Sequence, residues 1–202
     1  MTKFLRYFCI FAALNFLCGC ITATHNKDSD NFKIENLKNT SNQKSKIFVE
    51  WKYSSDEIGQ YDYQNKSSAR AQAHLDLFIS LIKKTDCCVI VGDAKSAEVL
   101  IKGSFREDGI KYAEPLSHIT GYSLFIIPMW INNKKSISVE VQKGGKHYNY
   151  DLDDSMFTAF WLPFVVAAPF QTPMTKKEEM LHVNLYNNLI GKMSKDRVLK
   201  FD

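Results

Sequence analysis

Ile47, Val49, Trp51 and Tyr53 occupy every second position of one stretch, with Phe48, Glu50 and Lys52 between them. That period of two puts four large apolar side chains on one face of a strand. Such a strand needs sheet neighbours and a second layer over its apolar face. The rest of the chain offers both. Ala71, Leu75, Phe78, Ile79 and Ile82 recur at helical spacing, which predicts a helix over about 67–84, capped by Ser67 or Ser68. Cys87 to Val91 reads as the next strand. After a turn at Gly92-Asp93, the residues Val99, Ile101, Gly103 and Phe105 mark one face of a third. Ile137, Val139 and Val141 lead into Lys143-Gly144-Gly145-Lys146, a hairpin signal, and Tyr148, Tyr150 and Leu152 continue in the partner strand. Thr175 and Glu178 have capping-box spacing and open a helix over about 175–195, with Leu181, Leu185, Leu189 and Met193 as its buried stripe. The order predicts an α+β fold: a mostly antiparallel sheet with two main helices packed on it.

The N-terminus is of another kind. Lys3 and Arg6 precede an apolar run from Phe8 to Phe16, far short of the roughly 20 residues that cross a bilayer as a helix. Leu17-Cys18-Gly19-Cys20 follows at once. Basic segment, apolar segment and box together resemble the signal and lipobox of bacterial lipoproteins, Leu-x-Gly-Cys. The resemblance implies that residues 1–19 are a lipoprotein signal peptide. It implies that Cys20 becomes the first mature residue and carries a diacylglycerol and an N-acyl chain. Residue 21 is Ile rather than Asp. By analogy with enterobacterial lipoproteins, that implies the outer membrane, facing the periplasm.

Ile21 to Ser45 is rich in Asn, Lys, Ser, Thr and Asp and shows no sustained period. Residues 20–45 are therefore expected to form a lipidated, disordered tether, and 46–202 a single α+β domain. The opening strand-helix-strand, Lys46 to Phe105, loosely resembles envelope lipoproteins of the curli-secretion and TolB N-terminal type. The runs Leu124 to Pro128 and Trp161 to Pro163 resemble those of small uncharacterised bacterial lipoproteins. These likenesses imply a shared fold and transfer no activity.

The formal charge of +4 includes Lys3 and Arg6, which would leave with the signal. The remainder is too weakly and evenly charged to suggest nucleic acid as a partner. Cys87 and Cys88 are adjacent, and the expected state is a buried strand with one thiol facing each way; a vicinal disulfide is the alternative. The chain has no Gly-x-Ser-x-Gly and no His-Glu-x-x-His. Ser117 and His118, being neighbours, make a poor nucleophile-base pair. His74 and His182 fall on helices, where boundary or surface positions are the default, and His147 opens a strand. Asp151, Asp153 and Asp154 read as capping carboxylates of a turn rather than a calcium loop. No catalytic residue, metal ligand or cofactor is expected.

Two uncharged runs stand out, Tyr122 to Ile131 and Met156 to Phe170. Both hold Trp and Pro, and Pro163 would break a helix. The expected place for both is the core, under the last helix. The competing reading makes Trp130, Trp161 and Phe164 contacts to membrane or to a partner. Together these features suggest a non-enzymatic, lipid-anchored envelope protein that binds the membrane through its anchor and an envelope protein of unspecified identity. The alternative is a transport or secretion accessory that inserts 122–131 and 156–170.

Overall fold

The computed structural model describes residues 20–26, 32, 34, 37, 44–55, 63–108, 122–123, 126–161 and 172–199. Residues 1–19, Ser117, His118, Pro163, Phe164 and the rest of 162–171 lie outside them. Six strands form one sheet: β1 Cys20–Asn26, β2 Ser45–Ser55, β3 Cys88–Ile90, β4 Val99–Asp108, β5 Met129–Lys143 and β6 Lys146–Phe160. Helix α1 is Tyr63–Thr85 and helix α2 is Met174–Lys195. The strand order is β1-β6-β5-β4-β2-β3. The fold is α+β, as the residue pattern implies, but the sheet is mixed. β1, β6, β5 and β4 pair antiparallel. β4–β2 and β2–β3 pair parallel. The parallel half follows from α1, which returns the chain to start β3 beside β2 in the same direction.

The register places Ile47, Val49, Trp51 and Tyr53 in line with Val99, Ile101, Gly103 and Phe105. Ile137, Val139 and Val141 continue those rows across β5. All these side chains except Gly103 belong to one buried cluster, with Phe78, Leu81 and Ile82 from α1 and Leu181, Leu185, Tyr186 and Leu189 from α2 above them. Both helices therefore cover one face. The opposite face carries polar rows such as Glu50, Lys102 and Glu140, which alternate in charge across β2, β4 and β5 and end at the neutral Asn149 on β6. Gly103 has a steric reason: a Cβ there would fall inside the Trp51 ring. Trp51 can lie flat over β4 only because residue 103 lacks a side chain.

Several expectations are corrected. Residues 20–45 are not a free tether where they are described. Cys20–Asn26 is a strand paired with β6. Ile34 is buried in the core, and the ring of Phe32 packs where a side chain at Gly191 would stand. Helix α1 starts at Tyr63, so Ser67 is not its cap; its hydroxyl donates to the Tyr53 carbonyl at 2.9 Å instead. Helix α2 has Pro173 at its N-cap with no side-chain cap, so Thr175 and Glu178 form no capping box. Asp151, Asp153 and Asp154 lie within β6 rather than in a turn. Cys87 and Cys88 both point into the protein and form a vicinal disulfide, instead of facing opposite ways as free thiols. Strand β3 starts only at Cys88, so the alternation expected from Cys87 onward does not apply.

The two uncharged runs are not wholly core. β5 starts at Met129 and β6 continues to Phe160, well beyond the strands expected around Ile137 and Leu152. Strand pleating then buries Met129, Met156 and Thr158 under the helices and turns Trp130 and Phe157 to the uncovered face.

Candidate functional site

A cluster of ionisable side chains lies between the sheet and the helices. Lys135 lies in β5 with its side chain only 2% exposed. Its position follows from strand parity, because Ile137, Val139 and Val141 share its face. Its Nζ donates to Glu178 Oε1 on α2 and to His182 Nε2 at 3.1 Å, and it lies 2.7 Å from Glu107 Oε1 on β4. Because an ammonium only donates, His182 Nε2 must accept, which places the ring proton on Nδ1. Glu107 Oε2 takes two further bonds, one from the Tyr53 hydroxyl and one from Arg70 at 3.1 Å. Arg70 also donates to the Tyr53 hydroxyl and lies over its ring.

His74 of α1 stacks on Phe105 with ring centres 3.8 Å apart. Its Nδ1 lies 3.0 Å from the Tyr186 hydroxyl. Its ring meets that of His182 edge-on at 5.1 Å. The protonation states follow from this packing. Burial first, then the positive charge it would share space with on His182, holds His74 down to about 3. Burial, then Lys135, holds His182 down to about 4. Both rings are neutral near neutral pH, so the 4.0 Å approach of His182 to Glu107 is not an ion pair there. Burial pushes Glu107 upward, but hydrogen bonds from Lys135 and Tyr53 outweigh it, and the carboxyl ends below its usual range. Tyr53 is pushed up to about 12, by burial and then by donating to Glu107.

Glu107, Glu178 and His182 present ligand atoms within 4.8 Å of one another, the spacing of a metal site. The Lys135 ammonium bonds to all three of these side chains, so it stands where a cation would. The carboxylates already have a counter-ion, and the chemistry offered is that of an internal ion cluster. A nucleophile beside a free base is not part of it. Sequence reading placed Tyr53 on the apolar strand face, Glu178 in a capping box and His74 and His182 at boundary or surface positions, and did not join them with Glu107, Lys135 and Arg70 in one site. The signal was parity: Glu107 follows Phe105 by two, Lys135 precedes Ile137 by two, and His74 lies three after Ala71 and four before Phe78.

A second candidate site is the far end of the sheet. β5 and β6 run past the last rung that β4 makes, Asp108 opposite Lys134. The five rungs from Asn133 to Met129 have partners only in β6, which in turn pairs with β1. At about 3.4 Å per residue this three-stranded arm extends about 17 Å. Cys20 stands opposite Phe160, and Phe160 opposite Met129. In the next rung Ile21 pairs with Ala159 and Ala159 with Trp130, whose side chain is on the uncovered face. Trp130 is 63% exposed and Trp161 37%. The indole Nε1 of Trp161 donates to the Ile126 carbonyl at 3.0 Å, which ties the two uncharged runs together. Ile126 and Ile127 are also exposed. Of the residues singled out in sequence, Cys20, Trp130 and Trp161 come together at this end. His147 is exposed at the opposite end, beside the hairpin turn. Among the described residues, no helix is long and apolar enough to cross a membrane.

No protein-family model matches the chain, and no curated protein matches it either. Among solved structures, a PelC dodecamer from Paraburkholderia phytofirmans matches over 84% of this chain and 96% of its own, with a TM-score of 0.31 and 8% identity. A DUF4136 family protein from Bacteroides thetaiotaomicron matches over 87% and 96%, with a TM-score of 0.28 and 10% identity.

Proposed function

We propose that this chain is a lipid-anchored protein of the bacterial cell envelope. It acts as a non-enzymatic accessory or binding module, held by acyl chains on Cys20 in the outer membrane and facing the periplasm. The observation that carries the reading is the order of Lys3 and Arg6, the apolar run and Leu17-Cys18-Gly19-Cys20. It is supported by the place of Cys20 as first residue of β1, at the uncharged end of the sheet. One myristoyl-length chain binds a membrane only marginally, whereas several on one cysteine anchor firmly. The non-enzymatic part is supported by the ion cluster, whose carboxylates and imidazoles are engaged with Lys135, Arg70, Tyr53 and Tyr186. Metabolic labelling with a fatty acid tests the anchor. Cys20→Ser should lose the label and remain uncleaved, and a fully labelled variant would remove the basis of the proposal.

A further inference from the structure

The structure points to the tip of the β1–β6–β5 arm as a surface that lies in the lipid interface, so that the protein is held against its membrane and not suspended from it. This inference rests on the anchoring proposed above and adds what the anchored end touches. The first observation is register. Cys20 pairs with Phe160 and Phe160 with Met129, so the acylated residue lies in the last row of the arm. No slack separates anchor from fold: β1 starts at Cys20 itself.

The second observation is what surrounds that row. Trp130, Ile126, Ile127 and Trp161 are solvent-exposed there, and Phe157 is exposed on the same face. Exposed large apolar side chains are otherwise rare among the described residues: Val89, Tyr122 and Met180 complete the set. The third is charge. Among the described residues of the arm, no Asp, Glu, Lys, Arg or His occurs from Ser155 to Trp161, from Ile126 to Asn133, or from Cys20 to Thr24. Lys177 of α2 is the first ionisable side chain met on moving down the arm, donating to the Thr22 carbonyl two rungs from the Cys20 row; His25 and Lys134 follow on the rung of Ser155. An apolar, Trp-bearing tip with a polar collar matches the headgroup boundary of a bilayer, where indole rings are favoured and charges are not. The acyl chains also fix which apolar phase is nearest.

Tryptophan fluorescence can test this on the full-length acylated protein. The chain holds three tryptophans, and Trp51 is buried in the core. The protein is reconstituted in vesicles of phosphatidylethanolamine and phosphatidylglycerol containing a chain-brominated phosphatidylcholine. Mass spectrometry and flotation of the same sample report acylation and membrane attachment. The bromolipid should quench the emission of Trp130 and Trp161 and leave that of Trp51. A Trp130→Phe, Trp161→Phe variant should then show no bromolipid effect while still floating. If the acylated protein floats but its two outer indoles are quenched by aqueous iodide and not by bromolipid, the docking is wrong while the anchor stands. If the chain carries no acyl group yet floats and is quenched by bromolipid, the docking stands and the anchor falls. If it is neither acylated nor bound, both fail.

Discussion

Lys135 Nζ lies 2.7 Å from Glu107 Oε1 with the lysine side chain 2% exposed, so a full positive charge sits within the core and takes its counter-charge from the neighbouring strand. Glu178, 43 residues further on, supplies the second carboxylate from helix α2. This ion cluster joins the sheet to the helix layer by directional bonds, where the surrounding core relies on apolar contact.

Removing the lysine charge should be costly. Lys135→Met takes the buried cation from Glu107 Oε1 and from Glu178 and leaves Glu107 with the more exposed Arg70, a change worth about 3–5 kcal/mol. Adding Glu107→Gln removes the stranded charge and should recover much of that loss. Urea midpoints of the single and double variants check the coupling. If Glu107→Gln changes the midpoint by the same amount with and without Lys135, the two residues act independently.

Acid should weaken the fold from just below neutrality. His74 and His182 ordinarily titrate at 6.5, but burial holds them to about 3 and about 4 in the folded protein. As pH falls below 6.5 the unfolded chain takes up protons that the folded one refuses, so stability decreases. The His182 contribution alone is on the order of 3 kcal/mol by its shift, and is fully lost near pH 4. Glu107, also held below its usual range, adds a loss at still lower pH. Thermal midpoints should be flat from pH 7 to the tyrosine range near 10 and decline from 6.5 downward, and His182→Gln should shrink the decline.

Trp51 and Gly103 form a matched pair. A Cβ at 103 would overlap the Trp51 ring, so Gly103→Ala should cost about 1–3 kcal/mol through overpacking. Trp51→Ala should cost about 3–5 kcal/mol, whereas Lys52→Ala, on the uncovered face, should stay within about 0.5 kcal/mol. If Gly103→Ala costs as much in a Trp51→Leu background as in the native chain, the close approach is not its cause.

The arm's facing can be read from adjacent residues. Met156 is 1% exposed and Phe157 41%. Met156→Asp should abolish the cooperative melt, because an unpaired charge would lie under α2. Phe157→Asp should leave the melt intact. The reverse result, read by circular dichroism, would place β6 one residue out of register.

The chain's local patterns determine much of this protein. Alternation at Ile47 to Tyr53 and at Ile137 to Val141, the Gly144-Gly145 turn and the helical stripes of α1 and α2 each follow from a period that one segment carries alone. The Leu17-Cys18-Gly19-Cys20 pattern is equally local. Tertiary structure decided what depends on distant partners. The parallel pairing of β2 with β4 spans about fifty residues, and no property of either strand marks it. Glu107, Lys135 and His182 look like ordinary surface residues in isolation; they become core because opposite charges and hydrogen bonds from three elements offset their desolvation. Residues 20–26 read as a solvated tether because their small and polar side chains carry no apolar period. They form a strand because the long edge of β6 offers unpaired backbone groups that β1 can satisfy. That edge, contributed by a segment more than a hundred residues away, is what places Cys20 in the last row of the arm, across β6 from Met129.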